Sequence, residues 1–257
     1  MDSQDYIKFL GTAGARFAVA RQLRSSAGVF INIGHKNIVL DPGPGTLVRL
    51  AAAKPRLDVA KLDGIILTHA HIDHSSDVNV LIDGMTDGGL KKRGVLFAPQ
   101  ECITGENAVV LKYLRGFLQD IVILQENTQY RLGDLAFSTS VRHQHGVETY
   151  GVIFQLENTK VSFMVDTKYF PVLLESYRGS DLLVMNVVLK TSHDRIKHLS
   201  LEDVKQVLQA LRPRQAILTH FGMPVLEAKP WELAAHLTQE LGMNVLAASD
   251  GMTVKVN

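Results

Sequence analysis

Apolar runs of four to eight residues, most of them closed by Gly, Pro, Asn or Asp, recur along the whole chain. Runs of that length and bounding predict β-strands. They cover Ile7–Leu10, Val29–Ile33, Asn37–Leu40, Gly64–Thr68, Val95–Ala98, Ile121–Leu124 and Leu135–Val141. The remainder are Gly151–Leu156, Lys160–Val165, Leu182–Leu189, Gln215–Thr219, Asn244–Ala247 and Thr253–Val256. Helical spacing is rarer. Ser200-Leu-Glu-Asp203 has the form of a capping box, and Leu201, Val204, Leu208 and Leu211 follow at 3.6-residue spacing until Pro213 stops the helix. Pro230 opens another, with Leu233, Ala234, Leu237 and Leu241 on one face and Gly242 past its end. Weaker helical patterns cover Thr46–Ala53, Ser76–Thr86, Asn107–Arg115 and Tyr169–Tyr177. Many strands with fewer helices predict two sheets with helices packed outside. No Pro/Ser-rich linker or short-period repeat divides the chain, so residues 1–257 read as one domain.

Composition narrows the class. With 257 residues, 46% hydrophobic and 21% charged, the chain is not disordered, collagenous or coiled-coil. Lys and Arg number 27 against 26 Asp and Glu, a net charge of +1 that argues against a nucleic-acid coat or a membrane-surface protein. Cys102 is the single cysteine, which excludes an intrachain disulfide and reads as a buried thiol. The first residues, Met1–Tyr6, lack the basic and apolar regions of a secretory signal, and Leu182–Leu189 is far too short to span a membrane. The expected compartment is the cytoplasm.

The ten histidines change the picture. The strand at Gly64–Thr68 runs directly into His69-Ala-His71-Ile-Asp73-His74, three imidazoles and a carboxylate in six residues. Alternation past a strand end puts His69 and His71 on one side. Imidazole with carboxylate suits Zn²⁺, and also Fe or Mn. The bland alternative, a chance run of histidines in a loop, is poor for so dense a cluster.

These six residues resemble the H-x-H-x-D-H signature of the metallo-β-lactamase superfamily, and four further segments extend the resemblance from position 41 to 220. Asp41 ends the strand Ile38-Val-Leu, a lone histidine follows about seventy residues later, Asp166 ends Val161-Ser-Phe-Met-Val, and His220 ends Ala216-Ile-Leu-Thr. His143 and His145 both qualify as the lone histidine. His145 fits better because Gly151 stands six residues on, as in the phosphodiesterase branch, which leaves His143 unbound. The resemblance implies an αββα four-layer sandwich with two divalent metal ions, zinc first. His69, His71, His145 and Asp166 would hold one, and Asp73, His74, Asp166 and His220 the other. Asp41 would orient a ligand imidazole, and a bridging hydroxide would be the nucleophile.

His74 and the lack of a cysteine ligand set the chain apart from class B1 lactamases, and no residues remain for a flavodoxin domain. Lys197-His198-Leu-Ser200, with His220 after the next strand, resembles ribonuclease Z and the bacterial cyclic-phosphate phosphodiesterases. That likeness makes Asp73 and His198 the candidate catalytic residues, His198 contacting the scissile phosphate, with His193 as an assistant. Phe9–Arg16 and Gln22–Ser26 look like the branch's opening hairpin, with Gly11 and Gly14 as turn glycines. His35 and His236 receive no role.

The function implied is a metal-dependent hydrolase of a small or cyclic phosphodiester. The alternatives are another hydrolase of this fold, on a lactone, a thioester or an RNA 3′ end, and a non-catalytic metal-binding module. The tRNA-processing enzymes of the branch carry a long arm between the third and fourth motifs, whereas His145 and Asp166 are 21 positions apart. Nucleic acid and membrane are therefore not expected partners; a second copy of the chain is the one protein partner considered.

Overall fold

The computed structural model describes residues 5–26 and 28–256. In chain order the strands are β1 Tyr6–Phe9, β2 Val29–Ile33, β3 Lys36–Leu40, β4 Gly64–Ile66, β5 Val95–Ala98, β6 Asp120–Ile123 and β7 Gln129–Leu132. They continue with β8 Leu135–Arg142, β9 Tyr150–Gln155, β10 Lys160–Met164, β11 Leu182–Asn186, β12 Gln215–Thr219, β13 Asn244–Ala247 and β14 Thr253–Lys255. The helices are α1 Ala15–Ala20, α2 Thr46–Ala52, α3 Ile72–Ser75, α4 Val78–Met85, α5 Gln100–Ile103, α6 Leu173–Tyr177, α7 Leu201–Leu211, α8 Met223–Glu227 and α9 Pro230–Leu241.

Two seven-stranded sheets result, ordered β14-β1-β2-β3-β4-β5-β6 and β13-β12-β11-β10-β9-β8-β7. In the first, pairing is antiparallel from β14 to β3 and parallel from β3 to β6. The second repeats the scheme, parallel from β13 to β10 and antiparallel from β10 to β7.

Alternation along the strands sorts side chains into three cores. In β4, Ile66 joins the core between the sheets while Ile65 faces outward with Val78, Leu81 and Ile82 of α4. In β11, Leu182 and Val184 point inward, and Leu183 and Met185 pack outward with Val204, Leu208 and Leu237 of α7 and α9. Strands covered on both faces read as unbroken apolar runs, which is why β4 and β11 lack a polar alternation. The layers are helix, sheet, sheet, helix. The capping box is formed: Ser200 Oγ accepts from Asp203 N at 3.1 Å and the Asp203 carboxylate accepts from Ser200 N at 2.8 Å.

Several local expectations need correction. No α-helix forms over Asn107–Arg115; a 3₁₀ helix covers Lys112–Phe117 instead. Side chains have taken the backbone groups a helix would need. Asn79 donates to Val109 O at 2.9 Å and accepts from Leu111 N at 2.9 Å, and Arg115 donates to Val110 O at 2.7 Å. The Ser76–Thr86 pattern breaks at Asp77, whose carboxylate accepts from Gly45 N and Leu47 N at the start of α2. The Tyr169–Tyr177 pattern shortens to α6, after Pro171. β1 and β2 do pair as a hairpin, but its connection carries α1. Cys102 is fully buried and burial pushes its thiol far above the ordinary value. Among the described residues no helix is long and apolar enough to cross a membrane.

Candidate metal centre

The polar residues lie where strands of the two sheets end, the edge at which open α/β sheets leave a crevice. Asp41 follows β3, His69 lies three residues past β4, Asp166 two past β10, and His220 follows β12; His143 and His145 follow β8. Asp41 and His220 have left-handed backbones, φ 51° and 57°. Such a conformation costs a non-glycine residue about 1–3 kcal/mol and persists where the surroundings over-determine it.

The surroundings of Asp41 do so. Its carboxylate accepts from Thr68 N and Thr68 Oγ1, both at 2.7 Å, and from His74 Nδ1 at 2.9 Å. Because the Thr68 hydroxyl donates to Asp41, it accepts from His69 Nδ1 at 2.9 Å. One carboxylate thereby fixes the tautomers of two imidazoles and leaves both Nε2 lone pairs free, the role an outer carboxylate plays in metal sites. On the other sheet, Asn186 donates to Asp166 Oδ1 at 2.9 Å, and Lys197 O accepts from His145 Nδ1 at 3.0 Å, freeing His145 Nε2.

His220 is held from the first sheet's side. A Cβ on Gly14 would lie 2.1 Å from His220 Nδ1, and one on Gly11 would lie 1.8 Å from Ser26 O. Gly14 is extended, with φ −125°. Both glycines serve close approach, which corrects their reading as turn glycines. Gly14→Ala is expected to cost about 1–3 kcal/mol, as overpacking does, and to displace His220; thermal denaturation and metal stoichiometry check both effects.

The ligand-type atoms converge. One atom each from His69, His71, His145 and Asp166 lie within 4.8 Å of one another, and the same holds for Asp73, His74 and His220. A further grouping of Asp41, His69 and His74 is the hydrogen-bonded set just described. Asp166 faces both clusters: its Oδ2 is 3.8 Å from His69 Nε2 and His145 Nε2 and 3.4 Å from His74 Nε2, while its Oδ1 is 3.4 Å from His220 Nδ1. His71 Nδ1 and His145 Nε2 stand 2.9 Å apart, and His220 Nε2 is 3.4 Å from Asp73 Oδ2.

Of the six buried side-chain atoms without a hydrogen-bond partner among the described residues, five are imidazole nitrogens of this cluster: His69 Nε2, His74 Nε2, His198 Nδ1 and both of His220. Native proteins rarely leave such atoms unpaired. Electrostatics agree. Burial would lower His74, yet Asp73, Asp166 and Asp41 raise it well above its ordinary value. Burial would raise Asp166, yet His220, His198 and His74 hold it well below the usual carboxylate range. Burial, aided by His74, keeps His69 neutral, and burial lowers His71 and His145 too. Three carboxylates converge on imidazoles most of which burial disfavours as cations, and the donor set fits divalent metal ions.

His198 shares the chamber without belonging to either ligand group. Its Nδ1 is 3.6 Å from Asp166 Oδ2, and it sits on an excursion closed at its base by bridging of Leu189 with Ser200. Ser192 Oγ, 3.1 Å from the Asp203 carboxylate, ties that excursion to the start of α7. His193 is exposed, with Nδ1 accepting from Arg195 N. His143 is buried outside both groups, and His236 is exposed on α9. His71, Asp73, His145 and His198 are half-buried, the partly exposed members of the cluster. The cavity beside Asp41, His74 and His220 holds about 30 Å³, room for a water and too small for a substrate.

Thr68, Asn186 and Lys197 were not legible as site residues from motifs alone. Two signals were present: Ile-Leu-Thr-His occurs at both 66–69 and 217–220, and Asn186 interrupts an otherwise apolar run.

Two mixed sheets, face to face between helices, with a histidine–aspartate cluster at one edge, define the metallo-β-lactamase fold. The beta-lactamase superfamily domain matches residues 36–221, and the chain belongs to that superfamily. It is 28% identical to the uncharacterized protein MJ1374 of Methanocaldococcus jannaschii over 258 residues, 97% of this chain and 94% of the other. It is 26% identical to a ribonuclease Z of Methanopyrus kandleri over 186 residues, 71% of this chain and 61% of that protein. The crystal structure of the metallo-β-lactamase fold protein YhfI from Bacillus subtilis matches with a TM-score of 0.82 at 17% identity, covering 99% of this chain and 100% of that one.

Proposed function

We propose that the protein is a dinuclear metal-dependent phosphodiesterase acting on a small or cyclic phosphodiester. The observation that carries this reading is His198. It is a half-buried imidazole whose buried Nδ1 is unpaired, beside Asp166 yet outside both ligand groups. His69, His71, His145 and Asp166 would hold one ion, and Asp73, His74, Asp166 and His220 the other, with zinc first and Mn or Fe as alternatives. Bound, the ions would supply Lewis acidity and a nucleophile at neutral pH.

The chain's own residues do the rest. Asp41 and Thr68 hold His69 and His74 in the tautomer that presents Nε2. Asp166, braced by Asn186, supplies a carboxylate to both groups. His198 contacts the scissile phosphate and holds a proton for the leaving oxygen.

A small substrate is favoured over precursor tRNA by what lies between His145 and Asp166. The segment is filled by β9, β10 and their turn, with no arm to grip an RNA body. The ribonuclease Z relative favours the second reading, RNA 3′-end cleavage, and one assay separates the two. Metal-loaded protein is expected to hydrolyse bis(p-nitrophenyl) phosphate or a cyclic nucleotide, and to cleave precursor tRNA at least about 100-fold more slowly, since polyanion affinity needs many cationic contacts. Site-specific tRNA 3′ cleavage would establish the second reading, and lactone turnover without diesterase activity would overturn both.

A further inference from the structure

His143 looks idle: it lies outside the ligand groups and its side chain never reaches the chamber's unpaired atoms. Its contacts say otherwise. The ring is 3% exposed and bonded at both nitrogens. Nδ1 lies 3.2 Å from the backbone carbonyl of Asp166, and Nε2 lies 2.8 Å from the Tyr177 hydroxyl at the end of α6. A carbonyl only accepts, so Nδ1 carries the proton; in the neutral ring Nε2 must then accept from Tyr177.

The main chain of the same residue holds another candidate ligand, since His145 N donates to His143 O at 3.0 Å. Beside it, Lys168 N donates to Gln144 O at 2.9 Å and Gln144 N to Thr167 Oγ1 at 3.2 Å. The turn carrying His145 and the turn carrying Asp166 are thus fastened together around one imidazole.

Gly151 explains how Tyr177 gets there. A Cβ on Gly151 would lie 1.8 Å from the Tyr177 oxygen and 2.7 Å from Phe163 O. Any side chain at 151 would evict the phenol from its place over His143. The glycine six residues after His145 is therefore a space-maker for Tyr177.

We propose that His143 is a positioning residue of the metal centre: seated by Tyr177 in the gap left by Gly151, it uses its Nδ1–H to fix Asp166 and its carbonyl to fix His145. The inference rests on Asp166 being a metal ligand. It also makes α6, on the outer face of the sandwich, a structural support of the chemistry at the sheet edge.

Asparagine and glutamine separate this role from mere core packing, because an asparagine amide reaches the place of Nδ1 and a glutamine amide that of Nε2. The affinity of apo-protein for Co²⁺ is measured against a competing chelator, with the visible Co²⁺ spectrum as a signature of ligand geometry. His143→Gln, which loses the donor to Asp166, is expected to weaken binding about 10–100-fold, as loss of an outer partner does, and to alter the spectrum. His143→Asn, which keeps the donor, is expected to stay within about threefold of wild type. Tyr177→Phe removes one oxygen and keeps the ring, and is expected to weaken binding by about threefold or more, as is Gly151→Ala. Equal affinities for wild type, His143→Gln and Tyr177→Phe would overturn the proposal, as would identical losses in His143→Gln and His143→Asn. Asp166→Asn is the control: if it alone weakens binding, only the His143 role is wrong, and if it has no effect, the metal reading falls and this one with it.

Discussion

Asp166→Asn is expected to lose most of the bound metal and nearly all turnover while leaving the fold intact. The substitution keeps size and shape and removes the charge. Asp166 is the one carboxylate that touches both ligand groups, approaching His69 and His145 on one side and His74 and His220 on the other. It is 2% exposed, so no solvent takes its place. Loss of an outer partner costs about 10–100-fold in metal affinity, and a shared inner ligand should cost more. Elemental analysis of wild-type protein purified without chelator should give more than one transition-metal equivalent per chain, and the variant clearly less than one. A variant that retains two equivalents would remove Asp166 from the shared position.

His198→Ala should behave oppositely. His198 belongs to neither group, so the metal content should stay near that of wild type. Turnover should fall about 10²–10⁴-fold, the range for a positioned proton donor. The excursion is fastened independently, at Leu189–Ser200 and through Ser192, so removing the ring should not release the loop. Turnover within about threefold of wild type would take the acid role from His198. The exposed His193, its Nδ1 engaged by Arg195 N, is a weak replacement. A large loss of metal would make His198 a ligand instead.

The two-sheet architecture was legible because apolar runs of strand length dominate the chain. β7 escaped for a physical reason: in Gln129-Tyr-Arg-Leu132 only Tyr130 and Leu132 face inward, and two apolar residues make no pattern. The 107–115 segment misled because side-chain hydrogen bonds from Asn79 and Arg115, remote in the sequence or unpatterned, outbid helix formation. At the site, the sequence exposes residues whose type is itself chemically diagnostic, such as the histidines of 69–74. It conceals those whose contribution is a direction. Thr68 is an ordinary strand-end threonine until its hydroxyl is seen between His69 and Asp41. Gly14 is an ordinary glycine until its missing Cβ is seen against His220.

The repeated sheet scheme has a thermodynamic consequence. Each ligand group straddles the sandwich: His69 and His71 from one sheet meet His145 and Asp166 from the other, and Asp73 and His74 meet His220. Each ion would therefore act as a rivet between halves that are otherwise held together by apolar packing and a few hydrogen bonds, such as Tyr150 N to Thr68 O and Phe221 N to Thr12 O. A ligand that binds only the assembled protein stabilises it by RT ln(1 + [L]/Kd), about 2.7 kcal/mol for each site when the free ion is at 100 times its Kd. Chelation is accordingly expected to lower the melting temperature and to speed amide exchange first at the riveted edge, at Thr68, Asp166 and His220, while the far ends of the same strands keep their protection. The working edge of the molecule would owe its order to its own cofactor, and ion supply would set how much of the protein stands fully assembled.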